Sequence, residues 1–431
     1  MTELLKTPAG WPSILLGRAA VKQPTDLDVA AAAGAFDGLR RALRDLGATG
    51  TIAEMSASGL RGRGGAGYPT GDKWRTAADT EAPRRFAVAN GYGADPASHT
   101  DRTLMLRDPY AVVEGLAIAA FAVGAAEAFI AVRADDSDVV AAMSAAVGEA
   151  TEAGFLGPDV LGSGHDLSLS VRPVQGAYLL GEETVLLKAL EGKRGQPEQR
   201  PPHPAERGLS GMPTVVNNVQ TLAAVPWIVR NGAAAFAAVG DPSSPGTVLV
   251  QLRTPGGDGI AEVPLGTPLR DVIGLGAALP AGRSLQAVLV GGPSGGLLPP
   301  EALDTPYTFG ALRAAGAHLG SGSIVVVDDR TDLVELIGVL TRFCAGESCG
   351  KSIPCRIGTK RLAEIVARRE DGLARPTDDA LGADLSADIV ASALCDHERL
   401  ATLPYTSGMR YFASAFDRAS RPVPAASETP R

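Results

Sequence analysis

Between about residue 50 and residue 235 the chain alternates short apolar runs with longer helical patterns, and this alternation leaves few folds open. "RRFAVAN" reads as a strand. "DPYAVVEGLAIAAFAVGAAE" reads as a helix, with Asp108 as its cap and Pro109 in the first position, where a missing N–H costs nothing. "FIAVRA" is the next strand and "DDSDVVAAMSAAVGEA" the next helix; "LSLSVRPV" and "EETVLLKALEG", closed by Gly192, repeat the pattern. Strands that alternate with helices predict a parallel sheet with helices packed on it.

The rest of the chain changes character. Residues 1–49 form a lead-in with an Ala-rich helical stretch, "LDVAAAAGAFDGLRRALRDLG". A Gly/Pro-rich joint, "VGDPSSPGT", marks a boundary near residue 240. In residues 245–330, "GTVLVQLR", "IAEVPLG", "AVLVGG" and "SIVVVDD" read as strands of a small α+β domain. Residues 331–418 are helical to about Phe416, and residues 419–431 read as a loose tail. A chain of 431 residues has room for such a multidomain α/β arrangement.

Composition narrows the function. With 45% hydrophobic and 20% charged residues and a net charge of −8, the chain is globular and carries no basic stripe with interleaved aromatics, so nucleic acid is not an expected partner. "MTELLKTPAGWPS" lacks the charged and apolar regions of a signal peptide. The most apolar run, from Ala111, is interrupted by Glu114 and Glu127, which argues against direct membrane insertion. The expected location is the cytoplasm, or the periphery of a membrane complex. There, clustered cysteines favour metal or redox work over disulfides.

Four stretches could carry chemistry. In "SGLRGRGGAGYPTGDKW", Gly62, Gly64 and Gly67 match G-x-G-x-x-G, but the segment before them, "TIAEMSASGL", reads as a helix rather than the strand a dinucleotide fingerprint requires. The local chemistry still suits an anion: glycines let backbone amides approach, and Arg61, Arg63 and Lys73 add positive charge. A phosphate or flavin site is the functional reading, and a mobile basic loop the alternative. "GAYLLGEETVLLKALEG" places Glu182 and Glu183 at a helix start, where acidic residues are favourable on dipole grounds alone. "GMPTVVNNVQTL" carries Asn217 and Asn218, whose amides can read a ring edge or serve as turn residues and caps.

The fourth stretch, "FCAGESCGKSIPCRIG", spaces Cys349, Ser352 and Cys355 like a C-x-x-C-x-x-C cluster loop with serine in the middle; Cys395 follows in "SALCDHERLATLP". Serine is a poor iron ligand, since its proton leaves reluctantly and its oxygen is hard. Cys344 is a conceivable substitute, and buried, inert cysteines are the alternative to any cluster.

Together these segments resemble the flavin-carrying, NADH-oxidising 51-kDa or F subunits of respiratory complex I, and the related beta subunits of NAD-dependent formate dehydrogenases and hydrogenases, over roughly residues 50–416. The resemblance implies a Rossmann-like FMN domain (50–240), a β-grasp, ubiquitin-like SLBB-type domain (245–330) and a C-terminal four-helix bundle holding a [4Fe–4S] cluster (331–418). It implies FMN held by Gly62, Arg63, Gly64, Gly67 and Lys73, by Asn90, by Tyr178, Gly181, Glu182 and Glu183, and by Asn217, Asn218 and Thr221, with Glu183 beside the nicotinamide as the catalytic group. NADH or NADPH would be the substrate.

The departures are informative. Where the family reads "NADE", this chain reads "NGYGADP": Asn90 stays, Tyr92 and Gly93 replace the acidic pair, and Asp95 lies further on. Tyr68 stands in for a phenylalanine, Thr76 sits where a phenylalanine commonly follows "KW", and His203 replaces the phenylalanine of "RPPFPA". Each lost stacking ring costs on the order of 1 kcal/mol. Ser352 replaces a cluster ligand of "ESCGKCTPCR". A cluster with a substitute ligand, a three-cysteine or labile cluster, and no cluster all stay open. Two functions follow. One is an FMN-dependent oxidoreductase taking hydride from NAD(P)H and passing single electrons to a ferredoxin-like [2Fe–2S] protein or another dehydrogenase subunit. The other is a non-catalytic or ferredoxin-fed subunit serving assembly.

Overall fold

The computed structural model describes residues 3–19 and 25–416. The expected loose tail at 419–431 lies outside them. Four strands, β1 (Phe86–Gly91), β2 (Glu127–Arg133), β3 (Ser168–Val174) and β4 (Thr214–Asn218), form an all-parallel sheet in the order β3-β2-β1-β4. The chain builds outward from β1 to β3, then returns to lay β4 on the other side of β1. That reversal opens a crevice between the carboxyl ends of β1 and β4, where Ala89 faces Asn217 and Asn90 faces Asn218.

The helix Pro109–Val123 joins β1 to β2, capped by Asp108, whose carboxylate accepts from Ala111 N. All its residues except Phe121 are buried, because the sheet covers one side and the helices Gly47–Ser58, Thr70–Asp79 and Val219–Asn231 cover the others. Removing Val112, Val113, Leu116 and Ile118 from water contributes about 1.5–3 kcal/mol each. At Gly115 the contact is so close that an added Cβ would lie 2.0 Å from Leu222 O. The expected interruption of this run, Glu114, is wholly buried; Leu39 N donates to it at 3.2 Å and Arg18 lies 3.6 Å away. Among the described residues no helix is long and apolar enough to cross a membrane.

The joint at residue 240 is a two-residue ribbon, β5 (Gly240–Asp241) with β6 (Ser244–Pro245). A mixed sheet follows: β7 (Thr247–Thr254), β8 (Gly257–Pro264), β9 (Leu285–Val290), β10 (Gly296–Leu298) and β11 (Ser323–Asp328), in the order β10-β9-β11-β7-β8. β7 and β8 form a hairpin, and β11 runs parallel to β7 and antiparallel to β9. One face packs Val248, Val250 and Val263 against Leu269 and Leu312. On the other, Ala287, Leu289 and Leu297 meet the C-terminal helices, so these strands are apolar on both faces. The lead-in is clasped to this sheet: buried Glu262 accepts from Ile14 N (2.7 Å), Leu15 N (2.9 Å) and Leu16 N (2.9 Å).

The C-terminal region comprises the helices Leu333–Gly346, Thr359–Glu370, Asp378–Ala391 and Leu403–Phe416, with a short helix Asp396–Leu400 before the last. Ile337, Leu340, Leu362, Ile365, Val366, Ile389 and Tyr405 form their shared core.

Candidate functional site

The glycine-rich loop follows the helix Gly47–Ser58, which ends at Gly59 in the left-handed region (φ 67°), so the expected helix before the loop is present. The loop runs between the first sheet and the second. A Cβ on Gly64 would lie 3.3 Å from Asn218 Cβ; one on Gly67 would lie 2.7 Å from the Phe309 ring, and Gly67 already has φ +67°. Both approaches need the missing side chain.

Arg63 does something the sequence did not suggest. Its backbone N donates to Thr221 Oγ1 at 2.8 Å, but its guanidinium is buried and donates to the carbonyls of Thr247 (3.0 Å), Pro245 (2.6 Å) and Arg61 (3.0 Å). Burial, with Arg61 nearby, lowers its pKa to about 9, which leaves it charged at neutral pH. The side chain pins the loop to β6 and β7 and does not join Lys73. Arg61 likewise donates to Gly67 O at 2.8 Å.

The crevice itself is a hydrogen-bonded frame. Lys73 Nζ donates to Glu183 Oε2 and to Val216 O, both at 2.9 Å, and Trp74 Nε1 donates to Asn217 Oδ1 at 2.9 Å. Asn90 Nδ2 donates to Gly181 O at 2.9 Å. Asn218 caps the helix Val219–Asn231 by accepting from Gln220 N at 2.8 Å, and its amide donates to buried Asp101 at 2.7 Å. Glu182 caps the helix Glu183–Leu190, accepting from Thr184 N and Val185 N, both at 2.9 Å. Arg200, which the sequence reading did not single out, pairs with Glu182 and lies 3.2 Å from Glu183 Oε1. Burial alone would raise the Glu183 pKa, but Lys73 and then Arg200 hold it below the usual carboxylate range. Glu182 is raised, burial outweighing Arg200.

The remaining expected residues divide. Tyr68 is half exposed, with Lys73 6.0 Å from its ring centre. His203 is exposed, and its backbone N donates to Glu206. Asp95 is buried, accepting from Ala97 N and Ser321 Oγ, both at 2.8 Å, and burial raises its pKa. Tyr92 is a core residue whose hydroxyl donates to Gly176 O at 2.5 Å, and Gly93 (φ +58°) is open. A larger groove lined by Arg84, Phe86, Glu127 and Phe129 lies at the amino ends of β1 and β2, away from the crevice.

The cysteines form a second centre. Cys349, Ser352, Cys355 and Cys395 line one small cavity together with Leu179, His397 and Glu398. Cys344 does not: it is wholly buried in the helix Leu333–Gly346, with its thiol 3.6 Å from Pro293 O. Burial raises the thiol pKa of Cys355, and that of Cys395 to about 12. Ser352 Oγ donates to Glu398 Oε1 at 2.5 Å. Three cysteines on a partly apolar cavity are a donor set that suits an iron–sulfur cluster. Among the described residues, no three His, Cys, Asp or Glu side chains converge closely enough for a single metal ion. The corners of a cube lie farther apart than the ligands of one ion.

One segment serves both centres. Gly181 holds Asn90, Leu179 lines the cysteine cavity, and the Tyr178 ring packs edge-on against Phe343 (5.2 Å) and His397 (5.8 Å).

Comparison with known proteins agrees with this layout. Residues 55–227 match the Nuo51 FMN-binding domain, and residues 335–419 match the NADH-ubiquinone oxidoreductase-F iron-sulfur binding region. The F 2 subunit of NADH-quinone oxidoreductase from Rhizobium meliloti is 38% identical over 391 residues, covering 89% of this chain and 92% of the relative. The chain belongs to the family of complex I 51-kDa, or F, subunits. Also similar is NADP-reducing hydrogenase subunit HndC of Solidesulfovibrio fructosivorans, 38% identical over 400 residues (91% of this chain, 80% of the relative). A crystal structure of NAD+-reducing [NiFe]-hydrogenase in the H2-reduced state superposes with a TM-score of 0.83 at 33% identity, covering 96% of this chain and 68% of the other. These relatives are parts of larger assemblies.

Proposed function

We propose that the chain is the FMN-bearing subunit of an electron-transfer complex, taking hydride from NADH or NADPH and passing single electrons through the cysteine centre to a ferredoxin-like [2Fe–2S] protein or another subunit, in the cytoplasm or at the periphery of a membrane complex. The observation that carries this reading is the frame of Lys73, Asn90, Glu183, Asn217 and Asn218 at the carboxyl ends of β1 and β4, beside a glycine loop that a Cβ would block. When bound, FMN supplies two-electron uptake and one-electron release. The chain's own part is electrostatic and positional. Lys73 and Arg200 keep Glu183 ionised and aligned where the resemblance puts the nicotinamide. Gly64 and Gly67 allow close backbone approach, Arg63 and Thr221 fix the loop, and Tyr178 packs between the crevice and the cysteines.

Three features support the finer divisions. The order β3-β2-β1-β4 fits a Rossmann-like unit spanning about 50–240 after a 1–49 lead-in. The order β10-β9-β11-β7-β8, with the last strand parallel to the first, fits a β-grasp unit over 245–330. The four long helices fit a bundle over 331–418. The deciding experiment is an anaerobic titration of the FMN-loaded chain with NADH and with NADPH, following the flavin band. Bleaching by either supports the reading. Reduction by dithionite but by neither nucleotide overturns it in favour of a chain that takes its electrons from a ferredoxin-like donor.

A further inference from the structure

We propose that Glu398, and not Ser352, is the fourth protein ligand of the iron–sulfur cluster; this rests on the reading that a cluster occupies the cysteine cavity. Position 352 is where C-x-x-C-x-x-C spacing puts the second, middle ligand of the loop, and the atom found there beside the serine hydroxyl is a carboxylate oxygen, Glu398 Oε1, at 2.5 Å. The carboxylate comes from the short helix Asp396–Leu400, which lines the same cavity.

Two further observations favour it. First, Glu398 is 1% exposed, and its hydrogen bonds come from two neutral donors, the Ser352 hydroxyl and Leu394 N (2.8 Å); among the described residues it has no ion pair. A carboxylate taken out of water without a cation is costly, and an iron ion at the corner supplies the missing positive charge. Second, Cys395 and Glu398 are spaced C-x-x-E, the interval at which C-x-x-C pairs serve one cluster.

Helix capping accounts for only half of this geometry. Glu398 lies in the first turn of Asp396–Leu400, and its Oε2 accepts from Leu394 N just before that helix. A capping glutamate needs one oxygen and usually sits in water; here the second oxygen points into a cavity lined by Cys349, Cys355 and Cys395. Ligation requires no proton or electron. A lone pair on Oε1 bonds iron, Ser352 keeps its proton, and the same oxygen retains a lone pair for the serine hydrogen bond. Cys344 is excluded as the substitute by its position. His397 is the competitor on the same cavity: its Nε2 is 3.1 Å from Cys344 O, and among the described residues its Nδ1 has no hydrogen-bond partner.

The test is anaerobic reconstitution of the full FMN-loaded chain with ferrous iron and sulfide, read by iron and acid-labile sulfide content, by EPR after mild oxidation, and by Mössbauer spectra. The parent chain is expected to hold about four irons, one with an oxygen-ligated signature. Glu398→Gln is expected to lose about one iron in four and give a three-iron EPR signal. Ser352→Ala is expected to keep the full cluster, as is His397→Leu. Adding Ser352→Cys to Glu398→Gln restores the fourth iron, which separates ligand loss from misfolding; flavin absorbance in the same samples reports the fold. The proposal is overturned if Ser352→Ala or His397→Leu loses the iron while Glu398→Gln keeps it, or if the parent chain takes up no cluster. A parent chain that binds no iron yet is bleached by NADH overturns the ligand assignment and leaves the flavin reading standing.

Discussion

Replacing Lys73 with methionine removes the cation nearest Glu183 while keeping most of the apolar stem. The two side chains are 19% and 20% exposed, with nitrogen and oxygen 2.9 Å apart. Deleting one partner of a well-buried pair costs about 3–5 kcal/mol. Here Arg200 stays at 3.2 Å from the other oxygen, and partial exposure adds screening, so about 2 kcal/mol is expected. For a cooperative unit of about 150–250 residues, the size proposed for the FMN-binding region, that corresponds to a fall of roughly 4–8 °C in the unfolding temperature. The sign of the pH dependence follows from Glu183. Burial pushes its pKa up, Lys73 and Arg200 pull it down further, and the folded value lies below the unfolded one. The stabilisation is therefore complete above the unfolded carboxyl pKa, about 4.3, and disappears as pH falls through the lowered folded value. The gap between parent and Lys73→Met should be full at neutral pH and shrink below about pH 4. Calorimetry on FMN-stripped protein measures this without a contribution from lost cofactor. Arg84→Met is the control, because Arg84 and Glu127 are 60% and 41% exposed and should contribute no more than about 0.5 kcal/mol. A Lys73→Met effect no larger than the control, or one that does not change with pH, would refute the reasoning.

Other changes test other parts of the site. Arg63→Lys replaces a planar fork that spans three separate carbonyls with a single point donor that cannot reach all of them, so thermal unfolding should show a loss of about 2–4 kcal/mol even without ligand. Gly67→Ala forces a side chain into the Phe309 ring at positive φ and should abolish or severely weaken FMN binding by fluorescence titration, whereas Gly62→Ala, with its nearest contact at 3.6 Å, should bind nearly as the parent does. His203→Phe places an aromatic ring on an exposed position of the expected adenine pocket and should lower the KM for NADH roughly fivefold with little change in kcat, by about 1 kcal/mol of stacking; an unchanged KM would remove that residue from the nucleotide site.

The first sheet was legible wherever a strand was followed by a long periodic helix, as at β1 and Pro109–Val123. β4 was not, because "TVVNN" is five residues with a helix beginning at Val219, so no alternation develops; β10, at three residues, is shorter still. Of the asparagine pair only Asn218 takes an expected use, as a helix cap; Asn217 is a buried strand residue that accepts from Trp74. Charge was the least readable property. Arg61, Arg63 and Lys73 look alike in sequence, yet Arg63 bonds carbonyls more than 180 residues away and Lys73 meets a carboxylate 110 residues away. Local spacing carries no information about such partners. Glu398 was missed for the same reason, its link to Ser352 spanning 46 positions. The C-x-x-E interval after Cys395 was the available signal.

The segment Tyr178–Glu183 touches both the crevice at the carboxyl ends of β1 and β4 and the cysteine cavity. On the proposed reading, one short segment lies against both centres, so their separation is set by packing within one chain and not by how two subunits dock. A tunnelling rate falls steeply with separation, so a distance set by packing within one chain is insulated from the arrival or loss of other subunits. Electron passage from flavin to cluster, timed by flash reduction, is expected to be equally fast in the isolated chain and in whatever assembly it joins; only the step beyond the cluster should depend on the partner.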